Sequence, residues 1–581
     1  MIILGLNAYH PDSSACIIVD GVLIAAIEEE RLKRIKHWSG FPALSIEYCL
    51  KEANCTLDEV SIVAVNQDKT SNLFKKINYG VQNLNDINFL LKKFTQKSRG
   101  YSVRDDLKNH FKPNSEPNIK YVEHHLSHLA SSFYPSPFKE ASLVSIDGFG
   151  DFASTAWGVG RSNTITMHNK IYFPHSLGIF YQAITQWLGF NNYGDEYKIM
   201  GLAPYGTLKS RHLLEAVVKK HSKGEFKLNL EFFRHHKLKL DMQWSDTSPT
   251  FPTLFNKRLE DLIGPRRMPE EELTDYHLDI ACATQSIYEE IFFHILNYVG
   301  TLSPNKNLCL SGGCAMNSSA NGKIYKNTNF QNVYVQPAAG DAGGAIGAAF
   351  EALNKIKGSM QRFEMKHAYW GPSFSNEDIE KTLINKLKIY EYKNEFSIEQ
   401  LSTDKIISKV TKDLINGKVI GWFQGRMEWG PRALGNRSIL CDPRRSDMKN
   451  ILNSKIKRRE SFRPFAPSVL LEEAHNWFEK RDDVPFMMKV FKVIEAKQKL
   501  LPAITHVDGS GRLQTVEQKS NPKYYNLIKK FSEHTGVPLL LNTSFNENEP
   551  VVCSPEEALK CFLRTKMDTI VLENWIIRRR E

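Results

Sequence analysis

Short apolar blocks separated by polar turns set out strands along the first part of the chain. Residues 2–6 are apolar throughout, as are 16–19 and 22–27, and Asp20-Gly21 between the last two is a strong hairpin turn. The pattern comes back further on: residues 141–146 predict a strand, 147–154 a Gly- and Asp-rich loop, and 155–159 a second strand. Two such units predict a duplicated, two-lobe α/β architecture with a ligand cleft between the lobes. Residues 308–310 and 333–335 are further strands, each running into glycines. Ile280, Ile287, Ile291 and Ile295 recur at helical spacing behind Thr274, which marks a core helix.

Residues 72–120 and 207–272 are polar and irregular, and read as insertions on this scaffold. A Lys- and Glu-rich connector is expected over 356–399, separating a domain at 1–355 from one at 400–581. In the latter, Ile407, Val410 and Leu414 form one face of a helix ended by Asn416-Gly417. Strands follow at 419–423 and 538–541, and Ser554-Pro555-Glu556-Glu557 opens another helix.

A chain of 581 residues is too long for one core, which agrees with several domains. Nine cysteines without a Cys-x-x-Cys pair point to reduced thiols and a cytoplasmic setting. The start, Met1-Ile2-Ile3-Leu4-Gly5, has no basic leader and reads as a first strand. No apolar run is long enough for a membrane span. The net charge of +11 suits anionic ligands or nucleic acid without choosing between them.

Candidate chemistry begins at His124-His125-Leu126-Ser127-His128. In a helix, His124 and His128 share a face and can turn toward one site, with His125 facing outward. Chance histidines on a partly exposed helix are the alternative. Asp147 falls at a strand end, where a carboxylate can reach an ion, and Asp341 opens the second glycine-rich turn. Together the four give two nitrogen and two oxygen ligands suited to a divalent transition metal, with positions left for a substrate oxygen.

The turns Ser311 to Asn317, with Gly312 and Gly313, and Gly340 to Ala348 resemble phosphate-binding turns in tandem after strands, which makes a nucleotide fold the expectation. The loop after the first strand offers His10, Asp12, Ser13 and Ser14 to a ligand, and the segment Gly194 to Gly206, with Lys198, is a second candidate loop. In the second domain Arg426, Arg432 and Arg437 stand among glycines, and Lys455, Lys457, Arg458, Arg459 and Arg463 follow. Guanidinium forks match phosphate or carboxylate oxygens, and the prolines and glycines fix these groups into loops, so a small-anion pocket is expected. His506 and Asp508 are expected to line it.

Along nearly its whole length the chain resembles the O-carbamoyltransferases of the nodulation, cephalosporin and tobramycin type. The resemblance rests on Gly5-Leu6-Asn7 through His10, Glu28 to Arg31, His124 to His128, Ile146-Asp147-Gly148, Gly194 to Gly206, Ser311 to Asn317, Gly340 to Gly347, Gly430 to Ser438 and Ser461 to Pro467. It implies an N-terminal domain of the sugar kinase, heat-shock and actin fold, similar to the transferase that makes threonylcarbamoyl-adenosine in tRNA. It implies also a YrdC-like C-terminal α/β domain, whose Lys-x-Arg and Ser-x-Asn signatures match Lys457-Arg458-Arg459 and Ser544-Phe545-Asn546.

The implied reaction has two steps. Carbamoyl phosphate and ATP, with magnesium, give carbamoyl-adenylate and pyrophosphate in the second domain, where Lys457, Arg459, Arg463, Ser544 and Asn546 hold the phosphates and Arg432 and Arg437 assist. The intermediate then passes inside the protein to the first domain. There a metal, iron in this family, sits on His124, His128, Asp147 and Asp341, while Gly312, Gly313, Asn317, Lys36 and Lys198 cradle the nucleotide. His10 is the implied base for the acceptor hydroxyl. Pro11 separates His10 from Asp12, a departure that puts the role of Asp12 in question.

The acceptor is expected to be a hydroxyl of a small natural product, sugar or nucleoside; a hydroxymethylated pyrimidine in DNA, flipped from the duplex, is the alternative. A sugar kinase would leave the histidine pair and the second domain unexplained. A non-enzymatic nucleic-acid-binding protein is the reading of another class, motivated by the charge.

Overall fold

The first apolar block becomes strand β1 (Ile2–Asn7), hydrogen-bonded antiparallel to β2 (Ser14–Val19), which pairs with β3 (Val22–Glu28). The turn between β2 and β3 is left-handed at both centres, Asp20 at φ 49° and Gly21 at φ 90°, which matches the twist of the flanking strands. In this computed structural model β4 (Ile62–Val65) and β5 (Ile119–Tyr121) add parallel strands on the other side of β1, giving the order β3-β2-β1-β4-β5. The residues described are 1–82, 102–237, 247–358, 362–386, 394–458, 460, 462–480 and 482–580.

A second sheet repeats that order. Strands β6 (Glu140–Gly150), β7 (Ala153–Arg161) and β8 (Thr164–Tyr172) form the antiparallel meander. After a small ribbon of β9 (Val218–Lys220) and β10 (Phe226–Leu228), strands β11 (Asn307–Ser311) and β12 (Asn332–Val335) join parallel to β6, in the order β12-β11-β6-β7-β8. The duplicated sheet is the two-lobe arrangement of the sugar kinase, heat-shock and actin fold. Strand β6 is longer than its apolar block: it runs on through Asp147 with a shift in register after Ile146, and the chain turns only at Asp151 and Phe152.

Two helices set the positions of the candidate ligands. The helix His124–Phe133 lies against the helix Gly344–Lys357 at closest approach, since a Cβ at Gly347 would fall 1.8 Å from the Ser127 carbonyl oxygen. A Cβ at Gly5 of β1 would fall 2.2 Å from the Ala345 carbonyl oxygen. Gly347 of the second glycine-rich segment therefore serves close helix packing, which brings the helix that follows Asp341 against the histidine helix.

The chain divides into one unit of Met1–Asn317 with Ile324–Met365 and another of Ser318–Lys323 with Lys366–Glu581. At the end of the stretch expected as a Lys- and Glu-rich connector, strand β13 (Phe396–Gln400) joins the second unit antiparallel to β21 (Trp575–Arg579). With β14 (Ile420–Phe423), β15 (Arg437–Cys441), β16 (Ala466–Leu470), β17 (Lys489–Lys492), β18 (Ser510–Val516), β19 (Leu539–Ser544) and β20 (Thr569–Leu572) it makes a mixed sheet of nine strands. Its helices include Thr403–Ile415, ended by Asn416-Gly417, and Pro555–Arg564, capped by the Ser554 hydroxyl. Among the described residues no helix is long and apolar enough to cross a membrane.

The Gly430–Arg437 loop of this unit is shaped from beneath by Glu428. Its buried Oε1 accepts from the backbone N–H of Leu434 (2.7 Å), Asn436 (2.8 Å) and Arg437 (3.1 Å). Glu428→Ala strands three buried donors, so a loss of about 3 kcal/mol or more is expected in denaturant unfolding. A loss within about 0.5 kcal/mol, the scale of an ordinary surface change, would contradict this role.

Candidate active site

Glu123 begins the site. Its side chain caps the helix His124–Phe133 by accepting from Leu126 N–H (2.8 Å), and it pairs with Lys170 at 3.0 Å. Asp151 Oδ2, at the end of the β6–β7 turn, accepts from His124 N–H (2.9 Å) and from Asp68 N–H (2.8 Å). The helix start is thus fixed to the sheet, and His124 and His128 share one face as the spacing predicts. Gly150 is needed where it stands, because a Cβ there would lie 2.0 Å from His124 Cδ2.

The two imidazoles meet edge to face, with Nε2 atoms 3.0 Å apart. Asp147 Oδ2 lies 3.1 Å from His124 Nε2 and 3.3 Å from His128 Nε2, and Asp341 Oδ1 lies 3.6 and 3.5 Å from the same two nitrogens. The other oxygen of Asp147 accepts the Gly313 N–H at 2.9 Å, so one carboxylate oxygen is anchored and the other points into the cluster. Asp341 Oδ1 is buried, and the groups that face it are the two imidazole Nε2 atoms, so the carboxylate is stabilised only by positive charge at that point.

These four groups fit a divalent transition ion. Donors about 2.1 Å from one ion sit about 3 Å from each other when adjacent, which is the spacing found here. The charge pattern agrees. Burial pushes the His128 imidazole down, but its hydrogen bonds to Asp147 and Asp341 and their charges outweigh that and hold it at about 9. Burial opposes Asp147 as well, yet the two imidazoles hold its carboxyl far below the usual range; burial first and then the Asp147 charge push Asp341 up. Without an ion, protons must screen the cluster.

His125 departs from expectation. It is fully buried, bonds Ser145 Oγ through Nδ1 at 2.9 Å, and is driven to about 3 by burial, so it is a neutral core residue and not an outward one. His10 does reach the cluster, its ring 5.4 Å from that of His124. Burial first and the His124 charge second bring it to about 3, which makes it a weak base and removes the near-neutral imidazole that general-base work favours. Asp12 Oδ1 is bonded to His37 Nδ1 at 2.7 Å.

The expected nucleotide cradle is only partly assembled. Gly312, at φ 85°, packs so closely that a Cβ would lie 2.2 Å from the Ile146 carbonyl oxygen, and the Gly313 N–H is taken by Asp147. Asn317 exchanges hydrogen bonds with Gln285 at 3.0 and 3.1 Å. Lys198 pairs with Asp195 at 3.1 Å and lies over the Phe190 ring, while the Lys36 side chain is exposed. His37, the residue after Lys36, was not legible as a site group because its partner Asp12 is 25 positions away.

In the second unit Lys457, Ser544 and Asn546 do come together. The buried Lys457 ammonium donates to Ser544 O (2.5 Å) and Asn546 O (2.8 Å), and also contacts Asn546 Oδ1 (2.7 Å) and Ser544 Oγ (3.2 Å). It braces that loop. Arg437 is likewise corrected: wholly buried, it donates to the carbonyls of Gln424 (2.7 Å), Asn436 (3.1 Å), Pro372 (2.9 Å) and Gly425 (3.0 Å), with its guanidinium over Phe423. Arg432 is half-buried on the Gly430–Arg437 loop, and Arg463 lies 3.4 Å from Glu460. Arg459 lies outside the described residues. His506 is held neutral, at about 4, by burial, and bonds Ser510 Oγ at 3.3 Å.

Residues 2–350 match the family model of the carbamoyltransferase N-terminus, and residues 411–579 that of the carbamoyltransferase C-terminus. An uncharacterized protein of Synechocystis is 40% identical over 99% of this chain and 96% of its own length. Nodulation protein NolNO of Sinorhizobium fredii is 37% identical over 99% of this chain and 80% of its own. A 3'-hydroxymethylcephem-O-carbamoyltransferase of Amycolatopsis lactamdurans is 33% identical over 47% of this chain and 49% of its own. Two models that together cover most of the sequence, in the order of its two units, make the chain a member of the carbamoyltransferase family.

Proposed function

We propose that the protein is an ATP-dependent O-carbamoyltransferase that uses a bound transition metal and acts on a hydroxyl of a small molecule. The observation that carries the reading is the convergence of His124, His128, Asp147 and Asp341 in a chain of this family. Water hydrolyses carbamoyl phosphate to carbamate and phosphate, the carbamate oxygen attacks the α-phosphorus of ATP to give carbamoyl-adenylate with release of pyrophosphate, and the carbamoyl group then goes to the acceptor oxygen while AMP leaves. The adenylate is formed in the second, YrdC-like unit, where Arg432 and Arg463 are the cations assigned to phosphate. Ser544 and Asn546, ordered by Lys457, form the edge of that pocket.

The transfer belongs to the first unit. A metal there supplies a Lewis acid that draws charge from a coordinated oxygen. Asp147, anchored by Gly313, and Asp341, delivered by the close-packed helix behind it, hold two sides of that position. His10 beside His124 is neutral and gives the acceptor hydroxyl a hydrogen-bond acceptor that orients it. Iron is the ion the family resemblance implies. The acceptor is a small molecule, in keeping with the cephem substrate named for one relative.

Mass spectrometry after incubation with carbamoyl phosphate, ATP and a panel of hydroxylated acceptors is expected to show gain of one carbamoyl group. In His128→Ala, transfer falls at least about a hundredfold while pyrophosphate release persists. ATP consumption with no acceptor modified would contradict the function, and loss of both half-reactions in a folded His128→Ala would contradict the division of labour.

Metal affinity also has a defined pH trend. The His128 imidazole stands at about 9 in the metal-free protein, so at pH 7 a proton must leave before Nε2 can bind an ion. Affinity measured by chelator competition therefore rises with pH, by about tenfold per unit for one displaced proton, and levels off above about 9. An affinity flat between pH 6 and 9 would rule out His128 as a ligand.

A further inference from the structure

Beside the four-ligand cluster lies a second group of polar side chains, Asp12, Glu30 and His37, close enough together to hold an ion. Their donors are already engaged otherwise. Glu30 Oε2 accepts the His37 backbone N–H at 2.8 Å, and Glu30 Oε1 pairs with Arg31 at 2.8 Å. Asp12 Oδ1 and His37 Nδ1, at 2.7 Å, are at hydrogen-bond distance. The group is a bonded dyad clamped by a glutamate, and its Nε2 is the atom left for other work.

The fold goes to some expense to hold that dyad. Asp12 at φ 55° and His37 at φ 53° are both left-handed, as is Tyr9 at φ 59°, conformations that non-glycine residues adopt at a cost and that cluster at functional sites. Gly194, itself at φ 85°, is the floor under the ring: a Cβ there would fall 2.4 Å from His37 Nε2. Tyr193 stands edge-on to the imidazole at a centroid distance of 5.0 Å. The His37 side chain remains 31% exposed, so a ligand can reach it.

The dyad is also wired to the metal cluster. Asn7 Nδ2 donates to Pro11 O (2.9 Å) and Asp12 O (3.0 Å), and Asn7 Oδ1 accepts from Asn66 Nδ2 (3.1 Å). Asn66 Nδ2 also reaches the Asp341 carbonyl at 3.5 Å, and Ser14 Oγ donates to Ala342 O at 2.9 Å. Burial raises the Tyr193 phenol, and so do the charges of Asp341, Asp12, Asp147 and Glu196, so the charges of dyad and cluster are both felt at that side chain.

We propose that His37, oriented by Asp12, donates a hydrogen bond from Nε2 to the phosphate of a nucleotide bound in the first unit. This deepens the function proposed above and rests on it. The carboxylates of Asp12, Glu30, Asp147 and Asp341 repel an anionic adenylate bound next to them, and a fixed donor of positive charge offsets them; a neutral hydroxyl acceptor has no such need. Burial lowers the imidazole, but the Asp12 charge and hydrogen bond, with Glu30 and Glu196, bring it to about 9, so the donor proton is in place at neutral pH. Asp12 is the positioning residue.

Calorimetric titration of the full-length protein with AMP, and separately with adenosine, tests this. In His37→Gln, one AMP site weakens by about tenfold to a hundredfold, the worth of a charge-assisted hydrogen bond, while adenosine binding is unchanged. Asp12→Asn, whose Oδ1 still accepts from Nδ1–H, weakens AMP by about threefold, and it carries the comparison if His37→Gln does not fold. Equal AMP affinity in wild type and both variants would overturn the proposal and leave the transferase reading standing. Loss of adenosine and AMP affinity in parallel would also overturn it, since that is the mark of a structural role. A wild-type protein that binds neither ligand would remove the nucleotide reading itself.

Discussion

Two imidazole nitrogens 3.0 Å apart, with two carboxylate oxygens no more than 3.6 Å from them, cannot stay buried without positive charge among them. Much of the first unit serves that constraint. Glu123 and Asp151 fix the helix start, Gly150 leaves room for the His124 ring, and Gly313 anchors Asp147. Gly347 allows two helices to meet closely enough that Asp341, in the turn after β12, arrives beside the histidines. None of these residues touches an ion, and each fixes where a ligand stands.

Seen this way, the glycines change meaning. In sequence they resemble phosphate turns, because strand, glycine, helix is the same string whether the glycine admits a phosphate or a neighbouring backbone. Gly312, Gly347 and Gly5 each face a carbonyl oxygen at less than 2.5 Å from a notional Cβ, so packing accounts for them. The cations of the second unit changed in the same sense. Arg437 and Lys457 are turned inward onto carbonyls; Arg437 steadies the loop that carries the more exposed Arg432, and Lys457 the one that carries Ser544 and Asn546. Arginine count predicts an anion pocket, but only the structure tells a scaffold guanidinium from one that faces solvent.

What could be read from sequence follows the range of the physics. The hairpin at Asp20-Gly21, the strands, the helix behind Thr274 and the shared face of His124 and His128 depend on neighbours a few positions apart, and all are found. The meeting of those histidines with Asp147 and Asp341 was reached by chemical complementarity, since a transition ion asks for oxygen donors and strand ends supply them. The Asp12–His37 bond and the Glu428 clamp had no local signal: both join residues whose own surroundings look like ordinary polar loops. His125 went astray because helical spacing alone does not say how deeply a helix is sunk, and this one is buried around most of its circumference.

The central claim is that the cluster is a metal centre made only of imidazole and carboxylate donors. X-ray absorption at the metal edge of the purified protein tests it most directly. The account predicts about one transition ion per chain with nitrogen and oxygen neighbours near 2.1 Å and the scattering signature of two imidazoles. Sulfur from a cysteine thiolate in the shell, or a metal-free protein with undiminished carbamoyl transfer, would contradict it.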